Sequence, residues 1–224
     1  MPTLLFAFGT FSSVMRPSAA APTAPTPIHR AALARCLRFI NAYGHCGLVY
    51  TRAAAFILSA VGDASHGQEI HHVAAGFCKS RSGGAVLACG AVIAAFSSIQ
   101  QATALSTFES ELYALVATVR LLLALRRFVA FILGVTLSAS IVLCDNASVI
   151  LQLRKRDLRQ RTRHIRVHLG FLIDAIENGE IVVEHVPTAG NAANTLTVAE
   201  NAVRFARSFN VLHGAPMSTM NDID

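Results

Sequence analysis

Three acidic residues of this chain stand where an apolar run stops or a helix begins. Asp145 closes the run Ile141–Cys144 in "IVLCDNASVI". Asp63 follows "AAFILSAVG", and Glu111 comes early in "STFESELYALVATVRLLLALRRF". A carboxylate at the C-terminal end of a buried strand sits where α/β sheets place their ligand sites. Gathered carboxylates repel one another and raise each other's pKa, so a site built from them is costly unless a cation occupies it. Oxygen donors with little nitrogen or sulfur favour Mg²⁺ or Mn²⁺. Such ions, with water and substrate phosphate completing their shells, suit phosphodiester cleavage; a pair roughly 3.5–4 Å apart stabilises both the attacking and the leaving oxygen. Each acid also has an ordinary reading: Asp63 in a turn, Asp145 as a helix N-cap with Asn146, Glu111 on the surface.

The elements that must position these acids are legible from periodicity. Phe56–Val61 reads as a strand ended by Gly62-Asp63. "GGAVLACGAVIAAF" reads as two short strands, 84–89 and 91–96, turned at Gly90. The segment from Ser106 reads as a long helix: Ser106 or Thr107 is its N-cap, acids occupy its first turn, and Arg126 and Arg127 its last. Leu112, Leu115, Val119, Leu122 and Leu123 mark its apolar face. A strand over 139–145, a helix from 147, a second helical piece over 164–178, a strand in "GEIVVEHV" and a final helix over 192–208 complete the chain. The order β-β-β-α-β-α-β-α implies an α/β fold with a mixed five-stranded sheet, antiparallel at first and extended by parallel strands through helical crossovers. Upstream, 16–28 is Pro/Ala/Ser/Thr-rich and linker-like, and Ile28–Tyr43 reads as a helix.

Composition narrows the function classes. The chain has 224 residues, is 53% hydrophobic, carries a formal net charge of +6 and has a sequence pI near 9.5. It can bury a sizeable core, and its basic balance suits a polyanion. Of 19 Lys and Arg, seven fall in "RKRDLRQRTRHIR" (154–166). Arginine forks match phosphate oxygens, although a charge run is more often a plain solvated face. Five cysteines without CxxC spacing suit reduced thiols in an intracellular, cytoplasmic or nuclear, protein. His71, His72 and Cys78 supply at most half a zinc site. Residues 83–108 and 128–144 carry no charge and approach membrane-spanning length, but glycines, serines and glutamines interrupt them, as in buried strands. The N-terminus lacks the positive region of a signal peptide.

Together, "ALSTFESELYAL", "VLCDNASVI", "RQRTRHIRVH" and "GEIVVEHVPTAGNAANTLT" resemble the ribonuclease H domain of copia-type (LTR) retrotransposon Pol polyproteins, in the same order over about 56–200. "APTPIHRAALARCLRFINAYGHCGLVY" (21–50) is similar to the segment joining reverse transcriptase to nuclease in that family. The resemblance implies a ribonuclease H-like fold. It divides the chain into a leader left from the polymerase end (1–30), a connecting helix (31–55), a ribonuclease H-like domain (56–210) and a tail (211–224). Asp63, Glu111 and Asp145 match the metal ligands, and Glu109 is a non-ligand neighbour. The fourth acid of the pattern falls at Asn194, a neutral amide, and the lysine expected after Leu-Thr is Val198.

The implied activity is Mg²⁺- or Mn²⁺-dependent endonuclease hydrolysis of the RNA strand of RNA–DNA hybrids. His185 is a candidate proton carrier. Arg154, Lys155, Arg156, Arg159, Arg161, Arg163 and His164 are candidate contacts to nucleic-acid phosphates, which position a duplex without reading its sequence. No obligate protein partner and no membrane are implied. Asn194 motivates the alternative of an inactive, nucleic-acid-binding relic of the same fold. The uncharged windows motivate a small membrane protein, and an integrase of the same broad fold is a further option.

Overall fold

The described part begins with a helix and continues into a sheet rich in small side chains. The structure, a computed structural model, describes residues 27–43, 46–53, 55–67, 78–156 and 163–214. The leader up to residue 26, His71, His72, Arg159, Arg161 and the tail beyond 214 lie outside the described residues. The elements are α1 (Pro27–Tyr43), β1 (Leu58–Ser65), β2 (Arg81–Ala88), β3 (Ala91–Ile99), α2 (Thr107–Leu133), β4 (Ser140–Cys144), α3 (Ala147–Lys155), α4 (Arg163–Glu177), β5 (Ile181–His185) and α5 (Ala202–His213). Two 3₁₀ turns, Thr188–Gly190 and Ala192–Leu196, precede α5.

The sheet order is β3-β2-β1-β4-β5. β1, β2 and β3 are antiparallel neighbours, while β4 joins β1, and β5 joins β4, in parallel. This is the mixed five-stranded sheet expected, antiparallel at first and extended by parallel strands. Each parallel joint needs a crossover; α2 supplies the first, and α3 with α4 the second.

Alternation along the strands separates two cores. Leu58, Ala60, Val86, Val142 and Cys144 pack under α2, α3 and α4, against Leu112, Leu115, Val119, Leu122 and Leu123 among others. On the opposite face Val61, Ala85, Leu87 and Val92 pack against Ala192, Ala193, Leu196 and Leu212. The segment before the sheet is tied to the same unit. Val49 N–H donates to the His213 carbonyl at 2.8 Å, and Phe39 meets Phe205 and Phe209 edge-on.

Several boundaries differ from the sequence reading. β1 does not end at Gly62-Asp63 but stays paired with β2 as far as Ser65↔Arg81, so Asp63 lies inside a strand. α2 runs on to Leu133 and stops at Gly134, whose φ of 63° suits glycine. Arg126 is therefore not a last-turn cation. It is buried, and donates to Leu137 O, Ser138 O and Ser140 Oγ, pinning the turn into β4. The expected helix over 192–208 is a 3₁₀ turn, a short link and then α5, because Asn191 and Asn201 each cap a separate helical piece. The two uncharged windows are β2, β3 and the α2–β4 region; no helix among the described residues is long and apolar enough to cross a membrane.

One glycine decides how closely the 3₁₀ segment approaches the sheet. A Cβ on Gly83 would lie 2.6 Å from Leu196 Cβ and 2.8 Å from Thr197 Cγ2. Gly83 is the register partner of Asp63, so its bare backbone lets the segment settle beside that aspartate. Overpacking of this kind costs about 1–3 kcal/mol. Gly83→Ala should lower the denaturant midpoint accordingly, with no change in the slope of unfolding free energy against denaturant.

Candidate active site

The parallel pairing of β1 with β4 carries the first two acids to one place. Val61 pairs with Leu143, and continuing that register two residues further sets Asp63 beside Asp145. Asp145 is the residue after β4. The cap of α3 is made by Asn146, whose side chain accepts from Val149 N–H at 3.1 Å, so the helix start does not consume Asp145. The third acid arrives on α2. Ser106 caps that helix by accepting from Glu109 N–H at 3.2 Å, and Glu109 Oε2 reaches back to accept from Leu105 N–H at 2.8 Å. This exchange fixes the start of the helix and hence the heading of Glu111 one turn on.

Glu109 and Glu111 are two residues apart on a helix and so point to different sides. Glu109 is buried, and besides Leu105 N–H it accepts from Tyr113 Oη at 2.5 Å and pairs with His164 Nε2 at 2.9 Å. Burial pushes its carboxyl up, but the bonds from Tyr113, Leu105 and His164 outweigh it and hold the pKa below the ordinary value. Glu111 instead faces Asp63 and Asp145: one carboxylate oxygen from each of the three lies within 4.8 Å of the others. They line an open cleft of about 750 Å³, with Ser65, His66 and Asn194 among its walls.

The electrostatics follow from burial and crowding. Asp63 is pushed up from 3.8 to about 6, first by burial and then by the charge of Asp145, against an opposing hydrogen bond from Thr197. Glu111 is pushed up from 4.5 to about 9, first by burial and then by Asp63 and Asp145. Three ionised carboxylates at this spacing are unfavourable near neutral pH without a cation. The cluster is all oxygen, which fits a hard divalent ion.

The other sequence candidates are distributed as follows. Asn194 lines the cleft, but its Nδ2 donates to Thr188 O at 2.7 Å. His185 does not line it; exposed at the end of β5, it borders a shallow hollow with Ala147, Ile150, Leu151 and Arg154. His164 is engaged by Glu109. Arg154, Lys155, Arg156 and Arg163 are exposed, and Arg156 pairs with Glu177 at 2.8 Å on the surface. Cys78, the remaining member of the half zinc site, is exposed.

Sequence reasoning missed four residues. Buried Thr197 donates its hydroxyl to Asp63 Oδ2, and Asn191 Nδ2 donates to Gly62 O at 3.0 Å; together they dock the 3₁₀ segment onto β1. Glu200 and Arg204 also line the cleft. Thr197 stands within the "NTLT" motif, which was its only signal; Glu200 and Arg204 had none.

No protein-family model matches the chain, and no curated protein matches it. Among solved structures, the N-terminal RNase H domain of Rv2228c from Mycobacterium tuberculosis is 18% identical over 64% of this chain and 91% of its own, with a TM-score of 0.44. LC11-RNase H1, solved in complex with an RNA/DNA hybrid, is 14% identical over 64% and 94%, with a TM-score of 0.45. RNase H1 from Halobacterium salinarum NRC-1 is 18% identical over 62% and 93%, with a TM-score of 0.43. Likeness at this level assigns no activity to the chain.

The raised carboxyls make stability depend on pH in a defined direction. The unfolded chain releases these protons near 3.8 and 4.5, while the folded chain keeps them to about 6 and about 9. Stability falls with pH wherever the native state holds more protons. The contribution is therefore fully present below about pH 4 and is lost progressively as pH rises through about 6 and then about 9. Chemical denaturation of the metal-free protein should show this decline, and Glu111→Gln should remove the part that extends above about pH 6.

Proposed function

We propose that the chain is a divalent-metal-dependent endoribonuclease acting on the RNA strand of RNA–DNA hybrids, and that it derives from a copia-type retrotransposon polyprotein. The observation that carries this reading is the meeting within 4.8 Å of Asp63 near the carboxyl end of β1, Asp145 just after the parallel strand β4, and Glu111 on α2. The order and wording of the sequence motifs supply the polymer and the strand.

In this reading Asp63, Glu111 and Asp145 hold the ion. When bound, Mg²⁺ or Mn²⁺ supplies Lewis acidity to the scissile phosphate and lowers the pKa of water for attack. Thr197 holds the Asp63 carboxylate in one orientation through its hydroxyl. The Ser106 cap and the Glu109 bonds do the same for the helix that carries Glu111. The exposed Arg154, Lys155 and Arg163, and Arg159 and Arg161 between them, bind the phosphate backbone. Phosphate contact positions the duplex, and the hybrid's groove shape and 2′-hydroxyls discriminate RNA from DNA. The boundaries 1–30, 31–55, 56–210 and 211–224 are proposed as leader, connector, nuclease and tail, and the site of action as intracellular.

Asn194 favours a second reading: a relic that binds hybrids without cutting them. A labelled RNA–DNA hybrid with Mg²⁺ separates the two. Under the nuclease reading the RNA strand is cut and the DNA strand is not. Loss of outer-sphere partners alone costs roughly 10–100-fold at metal sites, so Asp145→Asn should lower the rate by at least about 100-fold. Binding without any cut by the intact protein would leave the relic.

Phosphate neutralisation also leaves a signature in salt dependence. Replacing Arg154 and Arg163 together by Ala should weaken hybrid binding and reduce the slope of log affinity against log salt by about 1 for each phosphate no longer neutralised. An unchanged slope would remove the basic run from the interface.

A further inference from the structure

The outer strand of the sheet presents a surface that shares no lining residue with the acidic cleft. β5 ends the sheet order, and among the described residues no strand pairs with its far side. Ser140 N–H donates to Glu180 O at 3.0 Å, and Val186 N–H to Cys144 O at 3.1 Å, so the even-numbered residues of this segment bond toward β4. In a parallel ladder the alternate residues turn the other way. The N–H and C=O groups of Ile181, Val183 and His185 therefore face outward, in position to receive a further strand. Edges of this kind are usually blunted by lysine or proline. β5 reads Ile-Val-Val-Glu-His and carries neither.

Two hollows lie along this strand beside α3. The larger, about 370 Å³, is walled by Ile150, Leu153, Ile173, Ile176 and Val183, with Arg154 and Arg156 in its lining. The smaller, about 290 Å³, is formed by Ala147, Leu151, Arg154 and His185, and Ile150 and Arg154 belong to both. Val183 and His185 share one face of β5, about 6–7 Å apart along the strand, which is the repeat of same-face side chains in any strand laid beside it. The two arginines are exposed. Arg156 is paired with Glu177, while among the described residues Arg154 has no acidic partner.

We infer that the β5 edge binds an extended peptide segment of a protein partner by strand addition, with a large apolar side chain in the larger hollow and, two residues away on the same face, a carboxylate between Arg154 and His185. Main-chain bonds to an edge supply affinity in this mode, and pockets for alternate side chains supply specificity. Nucleic acid suits the surface less well: its phosphates match Arg154, but nothing in a phosphate backbone fills a hollow of Ile and Leu or pairs with a strand edge. A second copy also suits it less well. In a two-fold pairing of β5 with itself about an axis normal to the sheet, opposed residues share a face. That keeps Glu184 of each copy away from the hollows and sets Arg154 facing its own counterpart.

Fluorescence anisotropy of a labelled Thr-Val-Leu-Thr-Asp-Val-Thr peptide, and of the same peptide with Leu and Asp exchanged, tests this on the full chain, with amide shifts and hydrogen exchange as a second readout. At least one of the two orders should bind saturably and should shift and protect the amides of Ile181, Val183 and His185. Alanine in place of the peptide's leucine should weaken binding at least about tenfold. Asparagine in place of its aspartate should weaken binding about two- to fivefold, as an exposed ion pair does, and N-methylation of its backbone should abolish it. Arg154→Gln should weaken the aspartate peptide by a similar factor and leave the asparagine peptide unchanged, which also shows that the variant is folded. The inference is overturned if neither order binds at millimolar concentration, if binding leaves the β5 amides unprotected, or if the alanine peptide binds as well as its parent. Protection of those amides that rises with protein concentration alone assigns the edge to a second copy. Protection by an RNA–DNA hybrid and by neither peptide assigns it to nucleic acid. Either result overturns the inference too, and none of these outcomes bears on cleavage.

Discussion

Repulsion among three carboxylates at one rim of the sheet is the constraint around which this molecule is arranged. Burial strips water from Asp63 and Glu111, and each then feels the charge of its neighbours more strongly. A flexible surface would relieve the strain by letting the acids swing apart. Here they cannot, because each is carried by an element fixed elsewhere. β1 is paired on both sides, β4 is bound between β1 and β5, and α2 is anchored along its length by Leu112, Leu115, Val119 and Leu122. The cost is met by a core distant from the acids, and a divalent ion is the natural compensation.

The contrast between Glu109 and Glu111 shows how environment assigns different roles to two identical side chains. Glu109 is nearly as secluded as a core residue, yet it has a donor on every side: Leu105 N–H, Tyr113 Oη and His164. A buried charge so well supplied stays ionised and acts as a structural pin. Glu111, with little besides the Ala64 backbone to bond it and two acids facing it, holds its proton far above the usual range. Burial plus a specific charge partner, in a cleft, is the setting in which perturbed functional groups cluster.

The face opposite α2 contributes differently. Beside the acids it presents a tight 3₁₀ segment, drawn onto β1 by Asn191 and Thr197 and admitted by the missing side chain at Gly83. Ser97 Oγ donates to Leu196 O at 2.6 Å, adding a tie to β3. The segment thus does two jobs: it closes the smaller core with Ala192, Ala193 and Leu196, and it delivers Thr197 and the link bearing Glu200 to the cleft.

Much of this was legible in the residue order, and the reason is local. Period and capping are properties of neighbours in the chain, so the strand before Asp145, the Ser106 cap, the apolar face of α2 and the mixed-sheet order could be read directly. The wording of the motifs singled out Asp63, Glu111 and Asp145. Strand and helix ends were less legible. β1 continues past Asp63 because β2 pairs with it there, and the last expected helix is split because Asn191 and Asn201 each cap a separate piece, the first tied to β1 by the side chains of Asn191 and Thr197. The convergence of the acids and the arrival of Thr197, 134 residues away from Asp63, were decided only by tertiary structure. The same holds for the presence of Glu200 and Arg204 in the cleft and the position of His185 outside it. Those facts depend on register between distant strands and on how closely one backbone approaches another, and neither quantity is written in any local stretch of sequence.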